Sequence, residues 1–484
     1  MEKHIKLASV FILILVIISM ATQLYRVADL YDYANVAKFF AGEYNAKIRT
    51  SHSMLYGFVH APLIFLFHSF FIMKLTSLLF LILIIISVYF ISNKDKRTLL
   101  LLMASPIIWY MGPWINSIQL ASLLFLWGFF FFSKFNKDGK SIHLIYSGIL
   151  IGLSWAFWNS IMFFLFFFII CFFYNKNINL LAIFIFSVLV GISPLLLLDQ
   201  ILYGFPFYSL IKFFSGAVTS SIYGSIYQGQ GTLVARSFAN YIAFLIIIPF
   251  FSYTLFSKKF FKQNKRIVIF LTFCFLFLLV NPQIRYLLFL WPMLMLYLPK
   301  NLTQKQFKIQ FIIFLIISLL VINPYIIQTK YSTNTYEFSS LFSNIGNWKI
   351  NQVDIGELVK EDLNEIIKDY PNEIFVIGNK AEDYRFLAYL YWGENVKEFV
   401  SIQDYNLYLK NDTTLFEKKI KFIPKIKDRR QIWLAGGMDK NENDETEYEK
   451  ITLGIGVEEP IEIEGFEPIK KFNSLYLSEK KDFT

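Results

Sequence analysis

"KLASVFILILVIISMATQLYRVADLYDYANVAKFFAGEY", residues 6–44, changes character at its middle. The first half is an almost unbroken apolar run behind a short basic start. The second half gathers Asp29, Asp32 and Glu43. An apolar run of this length reads as a membrane span. No small-residue cleavage site follows it, so it reads as an uncleaved first span and not as a signal peptide. The carboxylates matter because residues 1–330 hold seven in all, the others being Glu2, Asp95, Asp138 and Asp199.

The rest of the chain extends this pattern. Its 484 residues are 56% hydrophobic and include 55 Phe, which is too apolar for a soluble protein. Hydropathy and length predict a polytopic α-helical membrane protein with about eleven spans. Their limits are 5–25, 70–92, 98–112, 116–133, 142–158, 160–174, 179–199, 237–257, 266–281, 286–299 and 308–327. The segments that alternate inside, "MEKHIK", "NKDKR", "KFNKDGK", "NKN", "SKKFFKQNKR" and "PKNLTQKQFK", hold 17 Lys+Arg and 3 acidic residues. This positive-inside bias predicts a multi-pass protein of the cell membrane with a cytoplasmic N-terminus. It also accounts for the basic balance without calling for nucleic acid as a partner. Cys171 and Cys274 both lie in apolar runs and form neither a disulfide framework nor a metal motif.

The charge balance reverses near residue 330. Residues 1–330 hold 26 Lys+Arg against 7 Asp+Glu, and residues 331–484 hold 20 against 29. Two domains are therefore expected: a membrane part over 1–328, and an extracytoplasmic soluble α/β domain over 329–484. In the second, "DIGELVKEDLNEIIKDY" and "AEDYRFLAYLYWGE" read as helices. "NEIFVIGN", "VKEFVSI", "QIWLAGG", "YEKITLGIG" and "NSLYLSE" read as strands, with some parallel pairing, and "GMDKNENDETEYE" as a charged loop.

Two long outer segments interrupt the membrane part, about 26–69 and 200–236. In the first, "YDYANVAKFFAGEY" predicts an interfacial helix that buries Tyr, Val and Phe on one side and ends near Gly42. Asp29 is placed either to cap this helix or to do chemistry. Asp32 fits a first-turn dipole partner or a solvated face. Asp199 is placed to cap the seventh span, while Glu2, Asp95 and Asp138 fall among inside lysines. The outer cations are Arg26, Lys212, Arg236 and Arg285, and Arg suits phosphate because its planar fork does not titrate. His52 and His60 do not have zinc-motif spacing, and a structural role is the simpler reading for them.

The order of these pieces resembles the polyprenol-phosphate-dependent membrane glycosyltransferases of the GT-C superfamily. Asp29, Tyr33, Ala37 and Gly42 fall where that family has an Asp, a Tyr four on, an Ala eight on and a Gly soon after. "HAPLIFLFHSFF" is similar to its "HPPLY" lead into the second span. "MASPIIWYMGPWINSIQLASLLFLWGFFFF", "SGILIGLSWAFWNS", "SPLLLLDQILYGFPF" and "NPQIRYLLFLWPML" follow in the family's order over about residues 5–300. Asp199 stands where Asn is commoner in the family. The resemblance implies inverting transfer of a sugar from a polyprenyl-phosphate donor to a lipid, glycan or protein acceptor on the outer face. By analogy the sugar is mannose or a related hexose. Carried over by position, Asp29 is the general base, with Asp32 beside it. Arg285, Arg236 and Lys212 are placed for the donor phosphate, and Tyr33, His60 and Asp199 for substrate contact. No cofactor is implied, and a metal is not expected, because Asp29 and Asp32 are one residue too far apart for a compact D-x-D pair. A polysaccharide or lipid-sugar exporter, or a membrane polymerase or ligase, is the competing expectation.

Overall fold

A computed structural model describes residues 3–21, 23–25, 28–42, 48–49, 54–174, 178–211, 213, 269–270, 272, 284–326, 349–351, 353–378, 387, 398–409, 432–434, 437–438, 448–457 and 459–481. The expected eighth and ninth spans, the bulk of the 200–236 loop, the expected helix over 381–394 and the charged loop over 437–449 lie wholly or largely outside these residues.

Seven expected spans each fall on one helix: α1 (Lys3–Ala21), α4 (Phe71–Ile91), α7 (Ser117–Asp138), α8 (Ser141–Phe157), α9 (Ile161–Tyr174), α10 (Ile178–Tyr203) and, near the C-terminal end of the bundle, α11 (Ile284–Asn301). The last expected span is α12 (Gln304–Ile326). Among the described residues three helices are long and apolar enough to cross a membrane, at Phe71–Ile91, Ser117–Asp138 and Ile178–Leu202. Shorter apolar helices accompany them at His4–Met20, Leu55–Phe67, Ser141–Phe157 and Ile161–Ile170.

The expected third span is not one helix. It divides into α5 (Lys96–Ala104) and α6 (Pro106–Met111). Pro106 disfavours helical backbone at the residue before it, and Ser105 is extended there, with φ −70° and ψ 126°. Every residue of α6 is buried, so the break sits inside protein, where its freed backbone groups can be satisfied. Asp95, one of the carboxylates among the lysines, is half-buried and caps α5: its Oδ2 accepts from Thr98 N at 3.1 Å and Thr98 Oγ1 at 2.7 Å.

Arg97, after α4, donates to Leu302 O at 3.3 Å and Gln304 Oε1 at 2.9 Å, in the turn between α11 and α12. His4, at the start of α1, meets the Tyr89 hydroxyl near the end of α4 at 3.2 Å. At the other end of that pair, Lys74 donates to Met20 O at 3.4 Å. Antiparallel neighbours joined by short turns give this arrangement. The tightest pair is α8 on α10. A Cβ on Gly152 would collide with Val188 O, and one on Gly191 with Ile149 O, so both glycines let the two backbones touch.

C-terminal to the bundle lies a five-stranded sheet. Its strands are β4 (Ile374–Ile377), β5 (Glu398–Ser401), β8 (Leu453–Val457), β9 (Phe466–Lys471) and β10 (Leu475–Lys480), in the order β5-β4-β8-β10-β9. The β4 pairings to β5 and β8 are parallel and the rest antiparallel. All four residues of β4 are buried, as a central strand covered on both faces requires. Helix α13 (Val353–Asp369) lays Val359, Leu363, Ile366 and Ile367 into the core, and its Asp362 accepts from Asn473 Nδ2 and Ser474 N at 2.9 and 2.7 Å. Helix α14 (Ile402–Leu409) and β9 do not stand out in the sequence. Pro468 obscures β9, and Pro is tolerated there because the strand is at the sheet edge.

Replacing Gly191 with Leu should force α8 and α10 apart. Overpacking of this kind costs about 1–3 kcal/mol, so the detergent-purified variant should unfold at a clearly lower temperature than wild type.

Candidate functional site

The stretch after the first span forms α2 (Ala28–Phe40), which ends just before Gly42, whose φ of 103° suits glycine. Asp29 falls on this helix as its second residue; its side chain, and with it the capping reading, lies outside the described residues. The expected one-sided interfacial helix is not what forms. Asp32, Tyr33, Ala34, Asn35, Val36, Ala37, Lys38 and Phe39 are all buried, so this part of α2 is enclosed on every side. Helix α3 (Leu55–Phe67) packs directly against it, and a Cβ on Gly57 would run into Val36 and the Ala37 backbone. Asp32 is 3% exposed, which removes the solvated-face reading.

Two short strands flank α2. On its N-terminal side β1 (Gln23–Tyr25) pairs antiparallel with β3 (Lys349–Asn351). On its C-terminal side β2 (Ile48–Arg49) pairs parallel with β6 (Ile432–Leu434), and β6 pairs in turn with β7 (Gly437–Met438). The C-terminal part of the chain therefore grips the first loop on both sides of the acidic helix. Nothing in strands of two or three residues announces such pairing in the sequence.

From α2 a chain of rings leads into the bundle. Ser117 Oγ donates to Tyr33 Oη at 2.8 Å. The Tyr33 and Tyr56 rings meet edge to face at 5.4 Å, and Tyr56 lies 4.4 Å from the His60 ring. Tyr56 Oη and Ser77 Oγ share a hydrogen bond at 2.5 Å. Burial pushes the Tyr33 phenol well above its ordinary value; the Ser117 hydrogen bond opposes the rise, and Tyr286, Tyr56 and Asp32 add to it. Tyr33 is thus a neutral phenol beside a carboxylate.

Tyr286 leads on to the cation. The Arg285 guanidinium lies 5.2 Å from the Tyr286 ring centre and 5.9 Å from that of Trp114. Tyr286 also faces Trp158, at 5.4 Å between rings. Trp114 precedes Asn116, whose Oδ1 accepts from Ile118 N at 2.9 Å and starts α7. Tyr286 is thus common to both: it acts electrostatically on Tyr33, which follows Asp32 on α2, and it lies under the Arg285 guanidinium. These residues come from α2, from the turns near 114 and 158 and from the start of α11.

The other expected site residues are placed differently. His60 is buried between two partners, with Nδ1 2.7 Å from Tyr56 O and Nε2 2.7 Å from Thr76 Oγ1. A carbonyl can only accept, so Nδ1 carries the hydrogen, and the ring pins α3 to α4. Asp199 lies within α10, four residues before its end, and accepts from Ser209 N at 2.9 Å and Ser209 Oγ at 2.6 Å, so it ties down the segment after α10 instead of capping the span itself. Lys212, Arg236, Arg26, Glu43 and His52 lie outside the described residues. Among the described residues no group of three His, Cys, Asp or Glu could hold a metal ion. Lys38 was not singled out from sequence; it is 3% exposed and sits six residues after Asp32 on the same helix. A lysine on an expected interfacial helix reads as solvated, which is why it passes unnoticed.

Burial holds the His60 imidazole below its ordinary value, partly offset by its hydrogen bond to Tyr56 O. The unfolded chain then takes up the proton first. The stability gained from neutral His60 is fully present above about pH 6.5 and is lost as the pH falls through the folded value. Wild type should melt higher than His60→Gln at pH about 7.5, and the gap should close as the pH is lowered, measured by paired thermal unfolding curves.

No protein-family model matches the sequence. No curated protein matches it either. Solved structures do. The crystal structure of ArnT from Cupriavidus metallidurans bound to undecaprenyl phosphate aligns with 98% of this chain and 97% of its own, at a TM-score of 0.59 and 11% identity. The apo form of the same protein gives the same figures. A match over nearly the whole of both chains at so low an identity speaks to fold alone: the chain shares its overall fold with these two structures.

Proposed function

We propose that this protein is an inverting glycosyltransferase that moves a sugar from a polyprenyl-phosphate donor to a lipid, glycan or protein acceptor at the outer face of the cell membrane. The observation that carries the reading is the placement of the Arg285 guanidinium over Tyr286, a ring that also acts electrostatically on Tyr33, the neighbour of the buried Asp32 on α2. It is supported by the likeness to a structure holding undecaprenyl phosphate. The proposed topology has about eleven spans over residues 1–328, a cytoplasmic N-terminus and an extracytoplasmic soluble α/β domain over 329–484.

The chemistry follows from the charges. An acceptor hydroxyl is a weak nucleophile at neutral pH, and a carboxylate within hydrogen-bond reach removes its proton as it attacks C1 of the sugar. Asp29, in the first turn of α2, is the proposed base. Asp32, one turn on, orients it or takes its place. The bond from C1 to the phosphate oxygen breaks with inversion, and the lipid phosphate leaves with its added negative charge. Arg285, with Arg236 and Lys212, is proposed to stabilise that charge in a partly dry site. Tyr33 would line the substrate cavity. His60 and Asp199 would serve the substrate through the shape they hold, since their polar atoms are engaged within the fold. No cofactor or metal is needed, because the donor carries a single phosphate. The sugar is proposed to be mannose or a related hexose.

Asp29→Asn should nearly abolish transfer while the protein still inserts and folds, and Arg285→Ala should lower kcat by about 10²-fold. Both are measured by release of polyprenyl phosphate from a panel of lipid-linked sugars. Near-normal turnover by Asp29→Asn would overturn the assignment of the base. An exporter would give no release with any donor.

A further inference from the structure

We infer that Asn159 contacts the sugar of the lipid-linked donor, an inference that rests on the transfer reading above. Asn159 lies in the turn Trp158–Ser160 between α8 and α9 and is 3% exposed. Neither its side-chain oxygen nor its side-chain nitrogen has a hydrogen-bond partner among the described residues. A primary amide offers two donors and an acceptor with two lone pairs, and buried polar groups are paired almost without exception. Gln310, inside α12, is likewise bare at both ends, so it is the position of Asn159, in a turn beside Trp158, that marks it as a place for a ligand.

Its position says where that partner would sit. The preceding residue, Trp158, faces the Tyr286 ring at 5.4 Å, and Arg285 stands over that same ring at 5.2 Å. Asn159 thus adjoins, in sequence, the first of two rings that lead to the proposed phosphate-binding guanidinium. Aromatic walls with a few polar groups are the usual lining of a small-molecule site.

The chemistry of the amide narrows the ligand. A phosphodiester only accepts hydrogen bonds, so it would satisfy Nδ2 and leave Oδ1 bare. Neighbouring hydroxyls on a sugar ring can donate to Oδ1 and accept from Nδ2 together. Asn159 therefore reads the sugar, while Arg285 reads the phosphate. A residue with this role tunes which sugar is taken without removing a proton itself.

The test uses the full-length purified protein. Equilibrium binding is measured by native mass spectrometry for bare undecaprenyl phosphate and for undecaprenyl phosphate carrying mannose, glucose or galactose. Asn159→Ala and Asn159→Leu should weaken binding of the preferred sugar-bearing lipid about tenfold and leave the bare lipid within about twofold. Without lipid, Asn159→Leu should unfold at or above the wild-type temperature, since it removes an amide that had no partner. Equal weakening of both lipids, unchanged binding of both, or a marked loss of lipid-free stability in Asn159→Leu would overturn the inference. The last result would mean that the amide is held by a buried water or a protein group. A wild-type protein that binds no sugar-bearing lipid and releases none of its sugar would reject the transferase reading, and this inference with it. Turnover by wild type that the Asn159 substitutions leave untouched would reject this inference alone.

Discussion

The hydrogen bond from Ser117 to the Tyr33 phenol, 2.8 Å long and buried, is the joint on which the site depends. It couples α2, the helix with the acidic pair, to the start of α7 at the end of the bundle where Arg285 stands. A bond of this kind contributes about 1 kcal/mol net, but a buried hydroxyl left without its partner costs more, about 1–3 kcal/mol. The edge-to-face contact of Tyr33 with Tyr56 extends the joint into α3, and His60 carries it on to Thr76 in α4. Four helices are thereby fixed against one another by a short run of neutral, buried groups. A carboxylate placed among them meets a fixed surround, as the proposed transfer requires of electrostatics arranged in advance.

Enclosure of α2 changes the expected role of the first loop. A helix lying on the membrane surface would let its carboxylates face water. Here the helix is covered from Asp32 to Phe39, and the strands on either side of it pair with strands from residues 349–351 and 432–434. The C-terminal part of the chain is thus joined by backbone hydrogen bonds to the segments that hold the acidic helix. Such bonds do not depend on side-chain identity, which is consistent with a fold shared at 11% identity.

Much of this was legible in the sequence for a definite reason. Apolar runs bounded by lysines fix where helices start and stop, so α1, α4, α7, α8, α9, α10, α11 and α12 fall close to their expected limits. The scarcity of carboxylates drew attention to Asp29 and Asp32. Other features are decided by partners distant in the chain, and local pattern is blind to them. The pairings of β1 with β3 and of β2 with β6 involve two or three residues each. The cluster of Trp114, Trp158, Tyr286 and Arg285 joins turns far apart in sequence, and each of those aromatics alone reads as an ordinary interfacial residue. The division of the third span was signalled by Ser105-Pro106, but hydropathy averaged over it. Lys38 was hidden because burial of this part of its helix on every side cannot be read from one strand of sequence.

The central claim is that a lipid-borne phosphate and an acceptor hydroxyl meet at the α2 end of this bundle and exchange a sugar. It is tested most directly by incubating the purified wild-type protein with polyprenyl-phosphate sugars and reading the anomeric configuration of the product by NMR. The account predicts release of free polyprenyl phosphate and a product inverted at C1. Retention of configuration, or no release from any donor, would contradict it.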